Sequence, residues 1–358
     1  MVSLASTCEL LFFISVADSI FSSFFVLSGY LMAMIYRTKI TRISDFGHFY
    51  KKRFLRLLPL YALTILATLA AGKYMIISSL FEFLAQDSKW ALVLATNVGN
   101  MLDKKTYWDQ VVEFKYLLHT WSLGVEMQYY LMVPFLFYME AKCPSFRIVT
   151  HLLTFSSLCY HLLNPGTWGF DFVFARIWQF HLGSLSWQFT YLPKNGYWPP
   201  DSPQGPKNNS FLDVIHLILS GSFFLFLLPS PKWTQEAVRI SGTLFSAVFF
   251  ACPSMGKFSL MSSQFFSYLG DISYVLYLIH WPVIIFLRSC YGIATYSFVT
   301  GLFLALVLIL VSALIHKVIE KPLLGHLPIS ILVFLISYTL SAYLASSSTT
   351  IKVYTKSY

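Results

Sequence analysis

Apolar stretches close to the ~20 residues that a bilayer-crossing helix needs recur along the chain, separated by short polar segments. They fall at 10–35, 58–78, 116–139, 147–163, 171–190, 211–229, 237–253, 265–289, 294–315 and 328–346. The pattern predicts an all-α, polytopic transmembrane helix bundle of about ten spans. Residues 80–100 break it: Phe81-Glu82-Phe83 and the run from Trp90 to Val98 are short and interrupted, and read as an interfacial or re-entrant helix. No fixed-period repeat is visible, and the one Pro/Gly/Asn-rich linker runs from Leu192 to Ser210. Residues 1–358 therefore read as a single membrane domain.

The polar segments orient it. Residues 36–57 carry Arg37, Lys39, Arg42, Lys51, Lys52, Arg53 and Arg56 against the single acid Asp45. Basic loops stay on the cytoplasmic side, so this one is expected there. Threading the spans from it brings the 316–327 loop, with His316, Lys317, Lys321 and His326, to the same side. Composition agrees with a membrane class: 56% of residues are apolar and only 11% charged, with a mean hydropathy of +0.63, whereas a soluble domain carries about 25% charge. The excess of 25 Lys and Arg over 16 Asp and Glu points to cytoplasmic loops and anionic headgroups rather than to nucleic acid. Cys8, Cys143, Cys159, Cys252 and Cys290 form no metal-binding pattern, so no metal is expected.

Against this background a few polar residues stand out. His119, Ser122 and Glu126 are spaced i, i+3, i+7 and would share one helix face. An ionisable residue inside a span is costly and marks a functional site by default; the structural alternative is a helix starting at the interface with Glu126 paired to a neighbour. Arg53 and Arg56, at i and i+3 where a basic cluster runs into a span, can turn two guanidinium forks toward one phosphate-bearing ligand. A topological signal explains the same cluster. Between Tyr268 and Pro282, Tyr274, Tyr277 and Trp281 read first as interface anchors. His280 is less easily placed that way, because Pro282 frees a backbone carbonyl near its imidazole. Asp171, Arg176 and His181 share one predicted span, as an internal ion pair or a substrate contact. The chain has no G-x-S-x-G elbow, no P-loop and no HExxH.

Four segments in order resemble the acyltransferase-3 family of integral membrane O-acyltransferases. Phe24 to Met32 is similar to the family's FFVxSGFL, and Arg53 to Tyr61 to its RRxxRxxPxY. His119 to Tyr130 is similar to TWSLSVExQFY, and Ser273 to Pro282 to SYxxYLxHWP, with Glu320-Lys321-Pro322 beyond. The likeness covers about residues 20–325, and 328–346 matches a trailing span that in some members leads to a hydrolase-like domain; with Tyr358 as the last residue given, a form without that domain is the expectation.

The resemblance implies transfer of an acyl group, often acetyl, from cytoplasmic acyl-CoA as co-substrate to a hydroxyl of a carbohydrate or lipid acceptor. Arg53 and Arg56 would meet the CoA phosphates, and Glu126 would belong to the catalytic cavity. The family also opens with a helix bearing an Arg and, eleven residues on, a His thought to be the base. Met1 to Ile20 contains neither, so the expectation is a shortened form lacking that helix, with weak or absent transfer and with His119, His280 or Glu126 as the remaining candidate bases. A regulatory relative and a transporter are the competing classes.

Overall fold

The computed structural model describes residues 21–103, 115–164, 166–190, 235–251, 264–291 and 298–347. Every regular element among them is helical, as expected for a chain whose backbone must satisfy its hydrogen bonds within each segment in lipid. In chain order they are α1 (Phe21–Tyr36), α2 (Ser44–Met75), α3 (Ser78–Leu92), α4 (Thr96–Leu102), α5 (Thr120–Lys142), α6 (Phe146–Leu163) and α7 (Thr167–Asp171). After a 3-10 turn at Phe174–Arg176 come α8 (Ile177–Thr190), α9 (Gln235–Ala251), α10 (Gln264–Tyr291) and α11 (Phe298–Ile315). A π-helical turn, His316–Glu320, leads to α12 (Lys321–Gly325) and α13 (Leu327–Ser347).

Among the described residues four stretches are long and apolar enough to cross a bilayer: α2, α10, Val299–Gly325 and α13. Some expected boundaries move. The basic segment 44–56, expected as loop, is the first part of α2, because Lys and Arg are good helix formers and hydropathy registers only the apolar portion. The 316–327 segment is likewise largely helical. The expected span 171–190 is broken, with regular α-helix only from Ile177. The 80–100 region forms α3 and α4, joined by a turn in which Leu94 has φ 56°. The 211–229 span and residues 1–20 lie outside the described residues.

The chain groups into two compact units, one drawn from Met1–Phe46 and Gln128–Ser263, the other from Gly47–Met127 and Gln264–Tyr358. In the first, α1 and α8 pack backbone to backbone. A Cβ on Gly29 would lie 1.8 Å from the Phe180 carbonyl oxygen, and one on Gly183 would lie 1.9 Å from that of Val26. Small residues are what permit such an approach between membrane helices. Polar ties hold the same helices: the Gln179 amide donates to Ser22 and Thr243, at 3.1 and 2.8 Å. Arg37, expected as a loop charge, is paired with buried Glu140, which also accepts from Thr150 at 2.8 Å. Asp171, Arg176 and His181 are all buried, with His181 3.3 Å from His151.

In the second unit α3 doubles back along α2. Leu84 lies at Gly72, and nearer the start of α2 the Tyr61 hydroxyl donates to the Ala91 carbonyl at 2.8 Å. α13 meets α2 edge to face through Phe334 and Phe54, 5.3 Å apart. Leu302, Phe303, Leu306 and Leu310 of α11 are exposed, as a lipid-facing stripe would be.

Candidate functional site

The polar residues of the second unit converge on the start of α5. Lys115 to His119 forms a turn segment, and Thr120 opens the helix. Thr120 donates its hydroxyl to the Leu117 carbonyl at 2.7 Å, so the Thr96 hydroxyl, 2.8 Å away, must donate to Thr120. Gly124 sits one turn on, where a Cβ would lie 2.8 Å from the Asn97 side-chain oxygen and 3.0 Å from the Leu94 carbonyl. A side chain there would have to push both back, so glycine lets α5 press closely against the α3–α4 turn.

His119 ends the turn segment and is 3% exposed. The Tyr277 hydroxyl donates to its carbonyl at 2.6 Å, and since a phenol has one proton, Ser122 must donate to the Tyr277 oxygen at 3.0 Å. The His119 ring lies 5.3 Å from the Tyr277 ring and 5.7 Å from the His280 ring, centroid to centroid. Neither of its ring nitrogens makes a hydrogen bond of good geometry among the described residues.

His280 is held differently. Its Nδ1 lies 3.0 Å from the Leu276 carbonyl and 2.8 Å from that of Tyr277. A carbonyl can only accept, so Nδ1 carries the proton and Nε2 keeps a lone pair. The carbonyl that Pro282 frees, four residues earlier, belongs to Leu278, and His280 bonds those of the two preceding residues instead. Trp281, read as an interface anchor, donates Nε1–H to the Lys115 carbonyl at 2.8 Å and pins the other end of the turn segment.

Nearer the start of α2 lie the acids. Glu126 is 5% exposed, buried inside protein rather than facing lipid. Tyr274 is within electrostatic reach of Glu126 and Glu320, and its hydroxyl donates to the Leu57 carbonyl at 2.8 Å. Glu320 is buried and hydrogen-bonded to His316 Nδ1 at 2.6 Å across the π-helical turn; π-turns recur at functional sites. Arg53 lies one turn before Leu57 on α2 and is buried, its guanidinium 6.0 Å from the Phe49 ring centre. Arg56 is exposed, so the two differ in setting despite their spacing.

The structure thus brings His119 beside His280 and Glu126 near Tyr274. His119 itself precedes the first helical residue, so the stripe expected on α5 begins at Ser122. Sequence reasoning passed over Tyr277 and Glu320 as site residues. The first looked like an anchor, and the second sat in what hydropathy marks as a loop. No group of three or more His, Cys, Asp or Glu that could hold a metal occurs among the described residues.

Residues 20–318 match the family model Acyl_transf_3, described as an acyltransferase domain. Among curated relatives, a protein of Komagataeibacter xylinus named as membrane-bound transacylase BcsY is 26% identical over 306 residues, covering 83% of this chain and 74% of the relative. One of Bacillus subtilis named as peptidoglycan O-acetyltransferase YrhL is 26% identical over 326 residues, covering 84% of the chain and 49% of the relative. O-acetyltransferase OatA of Staphylococcus aureus is 24% identical over 336 residues, covering 84% and 51%. The chain therefore spans about half the length of the latter two. No solved structure matches. With the family model matching most of its length and apolar helices able to cross a bilayer, the chain belongs to the acyltransferase-3 family of integral membrane proteins.

Proposed function

We propose that the protein is a membrane O-acyltransferase that moves an acyl group from cytoplasmic acyl-CoA to a hydroxyl of a carbohydrate acceptor. The observation that carries this reading is the pair of buried His119 and half-buried His280, clamped by Tyr277, in a chain of this family. Relatives named as peptidoglycan O-acetyltransferase and O-acetyltransferase support the oxygen acceptor and, in the first case, its carbohydrate nature.

The chemistry follows from the site. His280 Nε2 takes the proton of the acceptor hydroxyl as its oxygen attacks the thioester carbonyl. The C–S bond breaks, an ester forms, and the proton passes to the departing CoA thiolate, so the imidazole ends as it began. His119 lies beside His280, ring to ring at 5.7 Å, and Glu126 places a carboxylate further along α5. Arg53, at the basic end of α2, supplies the planar fork that suits a CoA phosphate. Orientation is part of the proposal. Lys51, Lys52 and Arg56 are exposed, as are Lys317 and Lys321. Tyr274 reaches both Leu57 and the field of Glu320, so both basic segments sit at one end of the unit, which the positive-inside rule assigns to the cytoplasm.

The test is transfer of labelled acetyl from acetyl-CoA by the reconstituted protein. His280→Ala should lower turnover by about 10²–10⁴-fold with acetyl-CoA affinity kept. Full turnover by both His280→Ala and His119→Ala would overturn the assignment, and acetyl-CoA binding with no turnover in the unaltered protein would make the chain a non-catalytic relative.

A further inference from the structure

α3 and α4 each carry a stripe of polar and aromatic residues, of which the site described above uses only Thr96. On α3, Phe83, Gln86, Asp87 and Trp90 follow the i, i+3, i+4, i+7 spacing of one helix face. The opposite face holds Leu84, Ala85, Ser88 and Ala91, all buried. α4 repeats the device with Thr96, Gly99, Asn100 and, at its C-cap, Asp103. The two stripes line a single open cavity of about 190 Å³, closed on a further side by Lys115, Leu117 and Leu118. Polar stripes are costly in a helix pair that folds back along a membrane-length helix, unless they meet water or a ligand.

The lining has a definite chemistry. Trp90 is half-buried, and its indole is seated on Gly99, where an added Cβ would come within 2.8 Å of the ring. The amides of Gln86 and Asn100 and the carboxylate of Asp87 surround it with hydrogen-bonding groups. Lys115 is ion-paired with Asp103, so among the described residues the cavity lining carries two carboxylates against one ammonium. An aromatic ring beside amides and a carboxylate suits a molecule with C–H groups on its faces and hydroxyls around its rim. The excess negative charge disfavours an anionic one. The size, below that of drug-binding pockets, fits one sugar ring.

The cavity also leads toward the His119–His280 pair. Leu118 and Thr96 line it; His119 is the next residue after the first, and the second is hydrogen-bonded to Thr120. We infer that this cavity is the acceptor subsite, that it holds one uncharged pyranose ring against Trp90, Asp87 and Asn100 with a hydroxyl directed toward His119, and that it discriminates against uronates. This assignment rests on the acyl-transfer reading only for its use, not for the binding itself.

The experiment is saturation-transfer NMR on the full chain in detergent micelles, with methyl β-glucopyranoside and glucuronate as probes and acetyl-CoA affinity measured in parallel. The neutral glycoside should bind and glucuronate should bind more weakly. Trp90→Ala and Asn100→Ala should each weaken the glycoside about tenfold, the scale of one aromatic or hydrogen-bonded contact, while acetyl-CoA affinity is unchanged. Trp90→Phe keeps a ring and should retain most of the binding. Equal glycoside signals from wild type and both alanine variants, or glucuronate binding as well as the neutral sugar, would overturn the subsite. Acetyl transfer that survives in Trp90→Ala with an unaltered acceptor KM would sink the subsite and leave the acyl-transfer reading standing. Trp90-dependent sugar binding without any transfer would leave the subsite standing and sink the reading.

Discussion

Tyr277→Phe isolates the clamp on His119. The substitution keeps the ring and its packing at 5.3 Å from the His119 imidazole, and removes only the hydroxyl. That hydroxyl makes two bonds, donating to the His119 carbonyl at 2.6 Å and accepting from Ser122 at 3.0 Å. Each neutral hydrogen bond contributes about 0.5–1.5 kcal/mol net, so about 1–3 kcal/mol is at stake. Ser122 already lies 3.4 Å from the His119 carbonyl and can turn its proton there, which puts the expected loss of stability toward the lower end. The effect on transfer should be larger than that figure suggests. The carbonyl fixes the backbone that carries the imidazole, and a displacement of about 1 Å at a reacting group can cost about 10²-fold in rate.

The assay is single-turnover acetyl transfer with acetyl-CoA affinity measured separately. Turnover should fall while affinity for acetyl-CoA stays as in wild type, because the hydroxyl lies away from Arg53. Combined with Ser122→Ala, the loss should be less than the sum of the two single losses, since the two hydroxyls share one bond. Wild-type turnover in Tyr277→Phe, or a pure loss of acetyl-CoA affinity, would refute the idea that this clamp positions His119 beside the base His280.

Two further outcomes bear on other parts of the molecule. Arg53→Ala should weaken acetyl-CoA binding by about tenfold to a hundredfold, the range of one charge-assisted contact; exposed Arg56→Ala should cost about 1 kcal/mol or less and fade with salt. Equal losses in calorimetric titrations would show that burial does not separate their roles. Gly183→Ala places a methyl 1.9 Å from the Val26 carbonyl oxygen, so thermal melts in detergent should show about 1–3 kcal/mol of destabilisation, and an unchanged melt would mean α1 and α8 are not so closely packed.

Much of this was legible before any coordinates. Apolar run length located the long helices, and the cost of ionisable groups among apolar residues singled out Arg53, His119, Glu126 and His280. What stayed hidden were partners far apart in sequence. Tyr277 reaches a carbonyl 158 residues away and Trp281 one 166 residues away. An aromatic with a polar tip looks the same to hydropathy whether it meets headgroups or a distant main chain. The course of α3 was only partly legible: the short, interrupted runs of 80–100 left an interfacial and a re-entrant helix both open. The i, i+4 pair His316 and Glu320 could have been read as a helical turn, had the loop reading not come first.

α10 explains why these residues meet in order. Its Tyr274 grips Leu57 on α2, Tyr277 grips His119, Trp281 grips Lys115, and Cys290 lies 3.6 Å from the Met75 carbonyl at the far end of α2. α10 therefore runs alongside α2 in the same direction, with the 115–119 segment descending against it. From Tyr274 to Trp281 the rise is about 10 Å. That interval separates the Glu126–Tyr274 neighbourhood, one turn from Arg53, from Lys115 on the wall of the α3–α4 cavity. The imidazoles of His119 and His280 fall between the two. A donor bound by its phosphates at the basic end and an acceptor seated in the cavity would approach them from opposite ends of one helix. Neither would need to displace the other, and the transferred acyl group would have only that short interval to span.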